Sequence, residues 1–212
     1  MKPADGPAAL TGILDVSRET EKRLTAYVAL VRKWQPVANL VAESTLDTVW
    51  QRHVADSAQI AALFPEAETF LDLGSGAGFP GLVVAIVSRR PVDLVESNVK
   101  KCAFLRAAVH ETGTSARIHE GRIDSILAEW AVVPSLITAR ALAPLSELLG
   151  MTADLIGKGA RAAFHKGRNF EREIAEASQS WDFDLVRHAS RIDPTGVILE
   201  VRRVAPRLER AR

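Results

Sequence analysis

The run Phe70-Leu71-Asp72-Leu73-Gly74-Ser75-Gly76-Ala77-Gly78-Phe79-Pro80-Gly81 constrains this chain more than any other stretch. A short, mostly apolar strand enters a glycine-rich turn and leaves it into a helix. Glycines permit positive φ in such a turn and let a ligand approach the backbone, while the following helix offers unpaired N–H groups at its amino terminus. A nucleotide-like ligand fits that arrangement. Glu96 closes the next apolar run, Val92-Asp93-Leu94-Val95, about twenty residues after the loop, where a carboxylate can accept both hydroxyls of a ribose.

Two cofactor classes share this pattern, because Gly76-Ala77-Gly78-Phe79-Pro80-Gly81 also satisfies the dinucleotide spacing G-x-G-x-x-G. Asp72, two places before Gly74, favours S-adenosylmethionine over NAD. At a strand's carboxyl end it would repel a pyrophosphate, yet it can interact with the ammonium or sulfonium of a methyl donor, directly or through water. Only about 130 residues follow the loop, which leaves no separate substrate domain for a dehydrogenase. The plainer alternative is a set of glycines that merely makes a tight strand-to-helix turn.

Around this segment, short apolar runs at 70–73, 92–95, 117–119, 135–139, 161–164, 183–186 and 197–201 predict seven strands. Helical stretches near 80–88, 99–111, 146–156 and 168–179 separate most of them. That alternation implies an α/β fold, a doubly wound and mostly parallel Rossmann-like sheet. About ten residues, with Asp193-Pro194-Thr195-Gly196 among them, join the last two strands, too few for a helical crossover, so the last strand should run antiparallel. Ahead of the sheet, Leu24, Tyr27, Val28, Val31 and Trp34 mark one helix face, with Pro36 ending the helix. A second helix is expected from Ser44-Thr45, carrying Trp50, His53, Val54, Ser57 and Ile60 on one side until Pro65. The expected division is a helical extension at 1–65, a core at 66–204 and a basic tail at 205–212.

Composition excludes several classes. At 212 residues, 47% hydrophobic and 25% charged, the chain is that of a globular domain, not a disordered one. Its longest apolar run, Leu82 to Val87, is far below the ~18 residues of a membrane span, and Met1-Lys2-Pro3-Ala4-Asp5-Gly6 lacks a secretory core, so a cytoplasmic location is expected. Cys102 has no disulfide partner, and the histidines at 53, 110, 119, 165 and 188 lack metal-ligand spacing, so no metal is expected. Net charge is +1, and the local basic excess lies in Arg202, Arg203, Arg207, Arg210 and Arg212. That tail, Lys166-Gly167-Arg168 and Arg89-Arg90 are possible phosphate contacts, against the alternative of solvated surface charge.

Asp72 to Gly81, Glu96-Ser97 with Lys100-Lys101, and Ser135-Leu136-Ile137-Thr138-Ala139-Arg140-Ala141 together resemble the RsmG (GidB) methyltransferases of bacterial small-subunit ribosomal RNA. Asn39-Leu40-Val41 and Arg52-His53-Val54-Ala55-Asp56-Ser57 are similar to that family's N-L and H-x-x-D-S signatures, so the resemblance covers nearly the whole chain. It implies transfer of a methyl group from S-adenosylmethionine to N7 of a guanine, position 527 of 16S ribosomal RNA; separately, a monomer with no membrane or obligate protein partner is expected. The family's donor contacts fall on Gly74, Phe79, Ile123, Asp124 and Arg140; Asp72, Gly76, Gly78 and Glu96 join them from the loop and strand geometry. Two stretches depart from the family pattern, Trp34-Gln35-Pro36-Val37 and Ile123-Asp124.

Guanine N7 carries an in-plane lone pair and no proton, so its methylation needs no general base, and no catalytic side chain is assigned. Orientation alone can contribute about 7–11 kcal/mol. Methylation at cytosine C5 would need a thiol nucleophile, and Cys102 reads as a core thiol. The N/D-P-P-aromatic motif of exocyclic-amine enzymes is replaced by Thr138-Ala139-Arg140-Ala141-Leu142. Arg140, after the fourth strand, is expected to touch donor or acceptor, or else to form a structural ion pair. His53 and Asp56 share one helix side and read as core polar residues. Phe79, Trp34 and Trp50 are candidates to stack on the target base. Rival readings are a small-molecule methyltransferase, favoured by an apolar acceptor pocket, a non-enzymatic ribosome-binding protein, and an NAD-dependent reductase.

Overall fold

The computed structural model describes residues 5–207, so Arg210 and Arg212 of the expected basic tail lie outside the described residues. Seven strands form one sheet: β1 Phe70–Leu73, β2 Val92–Glu96, β3 Ala116–Glu120, β4 Leu136–Arg140, β5 Arg161–Lys166, β6 Trp181–Ala189 and β7 Val197–Pro206. Their order is β3-β2-β1-β4-β5-β7-β6, with β1 to β5 parallel and β7 antiparallel to both neighbours. The doubly wound expectation and the antiparallel final strand both hold. Because β1 lies between β2 and β4, the order in which successive strands are added reverses there, and a crevice opens beyond the carboxyl ends of β1 and β4.

Helices cover both faces: α1 Arg18–Ala38, α2 Asp56–Leu63, α3 Gly81–Ser88, α4 Val99–Thr112, α5 Ile123–Ala128, α6 Leu145–Gly157 and α7 Phe170–Ala177. All four residues of β1 are buried, as a strand covered on both sides requires. Phe70 and Leu94 join one apolar cluster, and Leu71, Leu73 and Val95 the other, following the alternation of side chains across a strand. The first cluster also holds Leu24, Tyr27, Val31, Trp50 and Ile60, so the amino-terminal helices and the sheet share one core.

Three local expectations are corrected. Pro36 does not end α1; it sits inside the last turn, and the helix leaves at Asn39 with φ 46°. The proline removes one backbone donor, and Gln35 rebuilds the exit: its Oε1 accepts Leu40 N–H and Val41 N–H at 2.9 and 3.0 Å while its Nε2 donates to Val41 O. Between Ser44 and Ile60 there is no single helix but a 3-10 segment, Glu43–Thr48, then a π-helical turn, Trp50–Ala55, then α2. Asp5 fixes that turn by accepting Trp50 N–H and Gln51 N–H at 3.1 and 3.2 Å. Finally, β6 and β7 are longer than their apolar cores, because they pair with each other past the end of β5.

Candidate functional site

The glycine turn closes over the carboxyl end of β1. Gly74, Gly76 and Gly78 have φ of 65°, 57° and 89°, a left-handed backbone that other residues enter only with strain. Ser75 N–H donates to Val95 O and Gly78 N–H to Ser75 O, while the buried Tyr27 hydroxyl donates to Ala77 O, tying the turn to α1. Glu96 fixes its outer edge. One carboxylate oxygen accepts Gly76 N–H and the other Asn98 N–H, both at 2.8 Å, which leaves each oxygen a second lone pair. A Cβ on Gly76 would meet only Gly74 O, at 3.8 Å, so that face of the loop is open.

Asp72 lies under this turn rather than on its rim. Its side chain is fully buried; Oδ1 accepts the Thr138 hydroxyl at 2.7 Å, and Oδ2 has no hydrogen-bond partner. Burial pushes its carboxyl up to about 6, against the lowering effect of the Thr138 hydroxyl and of the Arg140 charge. Direct contact with a cation in the crevice is therefore closed to it in this arrangement, and its reach is through water or through the loop. Ile123 and Asp124 head α5, and Gly121 N–H donates to Glu96 O at 3.0 Å, which sets this connection beside the acid. Ile123 packs on the core, whereas Asp124 is exposed and paired with Arg122 at 3.2 Å.

Arg140 organises a second cluster. Its Nη1 donates to Asp56 Oδ2 at 2.9 Å and to Arg52 O at 3.3 Å, and its Nη2 donates to His53 Nδ1. The guanidinium lies 5.5 Å from the Phe79 ring centre, and the His53 ring stacks on the same phenyl at 4.9 Å. With Nδ1 accepting, Nε2 carries the proton shared with Thr45 Oγ1 at 2.8 Å. Burial, then the charges of Arg140 and Arg52, hold His53 down to about 3, so it stays neutral. The core reading of His53 holds: it is buried with both ring nitrogens engaged, and its helix-to-core hydrogen bond is to Arg140, which Asp56 grips as well. Their placement in and after a π-helical turn is a local irregularity often found at functional sites.

Phe79 is enclosed by His53, Arg140 and Tyr27 and Trp50 is buried, so neither is free to stack on a base; Trp34 packs its edge on Phe104. Beside the Arg140 cluster a cavity of about 550 Å³ opens at the carboxyl ends of β4 and β5, with Arg52, His53, Asp56, Lys166, Glu173 and Asp193 in its wall. Lys166 is not a free phosphate contact, because its Nζ lies 2.6 Å from Ala143 O and 2.7 Å from Glu173 Oε2. Arg90 donates to Ala67 O and Pro65 O, and Arg89 pairs with Glu19, both at the opposite edge of the sheet. Arg202 and Arg203 pair with Glu200 and Asp184, and Arg207 donates to Ser178 O.

The polar wall of the cavity and the glycine turn thus meet at Phe79 and Arg140. Solved structures with this fold include cofactor-bound Rv0187 from MTB, at 13% identity and TM-score 0.60, covering 96% of this chain and 100% of that one. Another is the SAH-bound Podospora anserina methyltransferase PaMTH1, at 15% identity and TM-score 0.58, covering 89% and 97%. Sequence relatives are nearer. The Ribosomal RNA small subunit methyltransferase G of Brucella anthropi is 47% identical over 88% of this chain and 89% of its own, and that of Rhodospirillum centenum 50% identical over 91% and 88%. The model of the GidB family, described as rRNA small subunit methyltransferase G, matches residues 20–193, which takes in the π-helical turn, the glycine loop and Arg140, and the chain belongs to that family.

Proposed function

We propose that the protein transfers a methyl group from S-adenosylmethionine to N7 of a guanine in 16S ribosomal RNA, at position 527, as a monomer in the cytoplasm. The observation that carries this reading is a contact between the two features: Arg140, in the wall of the polar cavity, packs over Phe79 of the glycine turn, and Leu142 of the same wall stands against Gly74. One crevice would hold the donor and the other the acceptor.

The residues present fit the donor. The open face at Gly76 offers room for close backbone approach, the second lone pairs of Glu96 suit ribose hydroxyls, and the unpartnered oxygen of Asp72 supplies negative potential beneath the loop. Gly74, Gly78 and Phe79 would shape that crevice, and Ile123, Asp124 and Arg140 would border it. Bound there, the donor supplies an electrophilic methyl on a sulfonium. The chain's own work is to hold N7 in line and keep the base still. No side chain need take a proton, which agrees with a neutral His53 engaged through both ring nitrogens. A small apolar acceptor is disfavoured by the charged residues in the cavity wall.

The test is transfer of labelled methyl from S-adenosylmethionine to small ribosomal subunits lacking native modifications, with nuclease digestion of the product. Label in 7-methylguanosine at a single position is the expected result. Intact donor binding with no label in RNA would overturn the RNA part of the reading.

A further inference from the structure

The cavity beside Arg140 has three carboxylates in its wall, and they differ in how much hydrogen-bonding capacity remains. Asp56 is engaged on both oxygens, by Gln59 Nε2 at 2.9 Å and Arg140 Nη1 at 2.9 Å. Asp193 is too, by Thr195 at 2.7 Å on Oδ1 and Arg52 at 3.1 Å on Oδ2. Glu173 is different. Lys166 Nζ, at 2.7 Å, and Leu145 N–H, at 2.8 Å, both approach the same oxygen, Oε2, and Oε1 has no partner among the described residues. The Lys166 side chain is only 7% exposed while Glu173 keeps 23%, so a buried cation pins the carboxylate while one oxygen stays open.

We infer that this cavity receives the acceptor guanine and that Glu173 Oε1 is its specificity contact, accepting from the N1–H and N2–H₂ edge of the base. The inference rests on the proposed guanine-N7 activity and deepens it. Guanine presents N7 and O6 as acceptors on one edge, and N7 must face the glycine loop to be methylated. The opposite edge, N1–H and N2–H₂, carries donors, and a carboxylate oxygen is the complement of donors. Adenine has an acceptor at N1 and no N2 amine, so it would leave the Glu173 charge unpaired in the cavity. Forming the N7–methyl bond leaves a positive charge on the base, and a fixed carboxylate at its far edge stabilises that charge as it develops. The cavity volume suits one base and its sugar, within the range of about 300–1,000 Å³ typical of small-ligand sites.

The experiment compares kcat/KM on small subunits reconstituted with guanosine or inosine at the target position, for wild type and Glu173→Gln. Inosine keeps N7, O6 and N1–H and lacks only the N2 amine. Wild type should prefer guanosine by about tenfold or more, the discrimination typical of a hydrogen bond to a charged group. Glu173→Gln should bring that ratio near one while binding S-adenosylmethionine as wild type does. A wild-type ratio near one, or a preference unchanged in Glu173→Gln, would overturn the assignment and leave the guanine-N7 reading standing. Should Glu173→Gln fail to bind the donor, Glu173→Asp keeps a charge for Lys166 but withdraws the open oxygen, and an unchanged ratio there also overturns it. If wild type methylates neither substrate, the activity itself is misread and this contact falls with it.

Discussion

Arg140 Nη1 and Asp56 Oδ2 lie 2.9 Å apart, joining the last residue of β4 to the first of α2 across 84 residues of chain. The two side chains keep only 15% and 17% of their exposure, so this is a largely desolvated pair, and its worth shows when one partner is removed. Asp56→Ala should cost about 2–4 kcal/mol, because it strands a guanidinium that has lost its charge partner. Arg140→Lys should also fail to rescue activity. A single ammonium cannot serve Asp56 and His53 from separate nitrogens. Urea midpoints at constant m, read beside methyl transfer, check both; a midpoint unmoved by Asp56→Ala would show that the pair does not stabilise the fold.

Asp72 and His53 should tilt stability in opposite directions with pH. Asp72 has a folded value of about 6 against an ordinary 3.8, so the native state binds the proton more tightly, and stability falls by up to about 3 kcal/mol as pH rises through that window. His53 has a folded value of about 3 against 6.5, so its contribution is present above 6.5 and is lost as pH falls, by about 1.4 kcal/mol per pH unit. Lowered by burial, His165 acts in the same sense as His53. Between about pH 4 and pH 6 the Asp72 slope offsets part of the combined histidine slope. Asp72→Asn should therefore expose a steeper acid loss than wild type and raise stability at neutral pH, and His53→Asn should do the reverse on acidification. Parallel urea-derived curves for wild type and Asp72→Asn would show that Asp72 is ionised in the fold without penalty.

Much of the sheet was legible because its central strands, β1, β2, β4 and β5, are short, largely apolar runs buried on both faces. Leu71, Leu73 and Val95 need no partner information to be recognised as core. The extension of β7 through Arg202 and Arg203 was not, since two adjacent exposed arginines, at a break in the pairing register with β6, end the apolar signal. Helix α5 escaped because six residues, Ile123–Ala128, are too few to display a helical period. The strand-to-helix glycine turn and the acid that closes β2 were visible from spacing. The Arg140 grip was not: His53 and Asp56 meet a residue 87 and 84 positions further along the chain, and the π-helical turn that orients them leaves no period in the sequence. Nor was the saturation of Lys166 by Glu173 and Ala143 O, which only the folded geometry reveals.

RNA binding should depend on salt, with individual residues distinguishable. Lys100 heads α4 and Arg168 lies between β5 and α7; both are exposed at the carboxyl edge and neither makes an ion pair among the described residues. Replacing either by alanine should lower the slope of log affinity against log salt by about one. Arg89→Ala, at the opposite edge and paired with Glu19 at 2.9 Å, should leave the slope unchanged. Filter binding to small subunits over a salt series measures all three. Equal slopes for wild type, Lys100→Ala and Arg168→Ala would move the RNA surface elsewhere on the protein.

Two glycines of the loop should fail in different ways. Gly76 has φ 57° and open space where a Cβ would stand, so Gly76→Ala carries only backbone strain of about 1–2 kcal/mol, and the fold should survive. The added methyl projects into the face left free for the donor, so affinity for S-adenosylmethionine should fall by more than tenfold. Gly81 has an ordinary φ but no room: a Cβ would stand 2.5 Å from Leu94 Cδ2 and 2.6 Å from Asp72 Cβ. Because Asp72 Cβ is attached directly to β1, it cannot yield as a side-chain tip would, and α3 must lift from the sheet. That overpacking should cost about 1–3 kcal/mol or more, so Gly81→Ala loses stability first and donor binding as a consequence. Thermal melts separate the two variants, and calorimetric titration with S-adenosylmethionine reads the rest. A Gly76→Ala protein that melts and binds the donor as wild type does would mean that the donor lies away from this loop, and the functional reading would have to be rebuilt around the cavity alone.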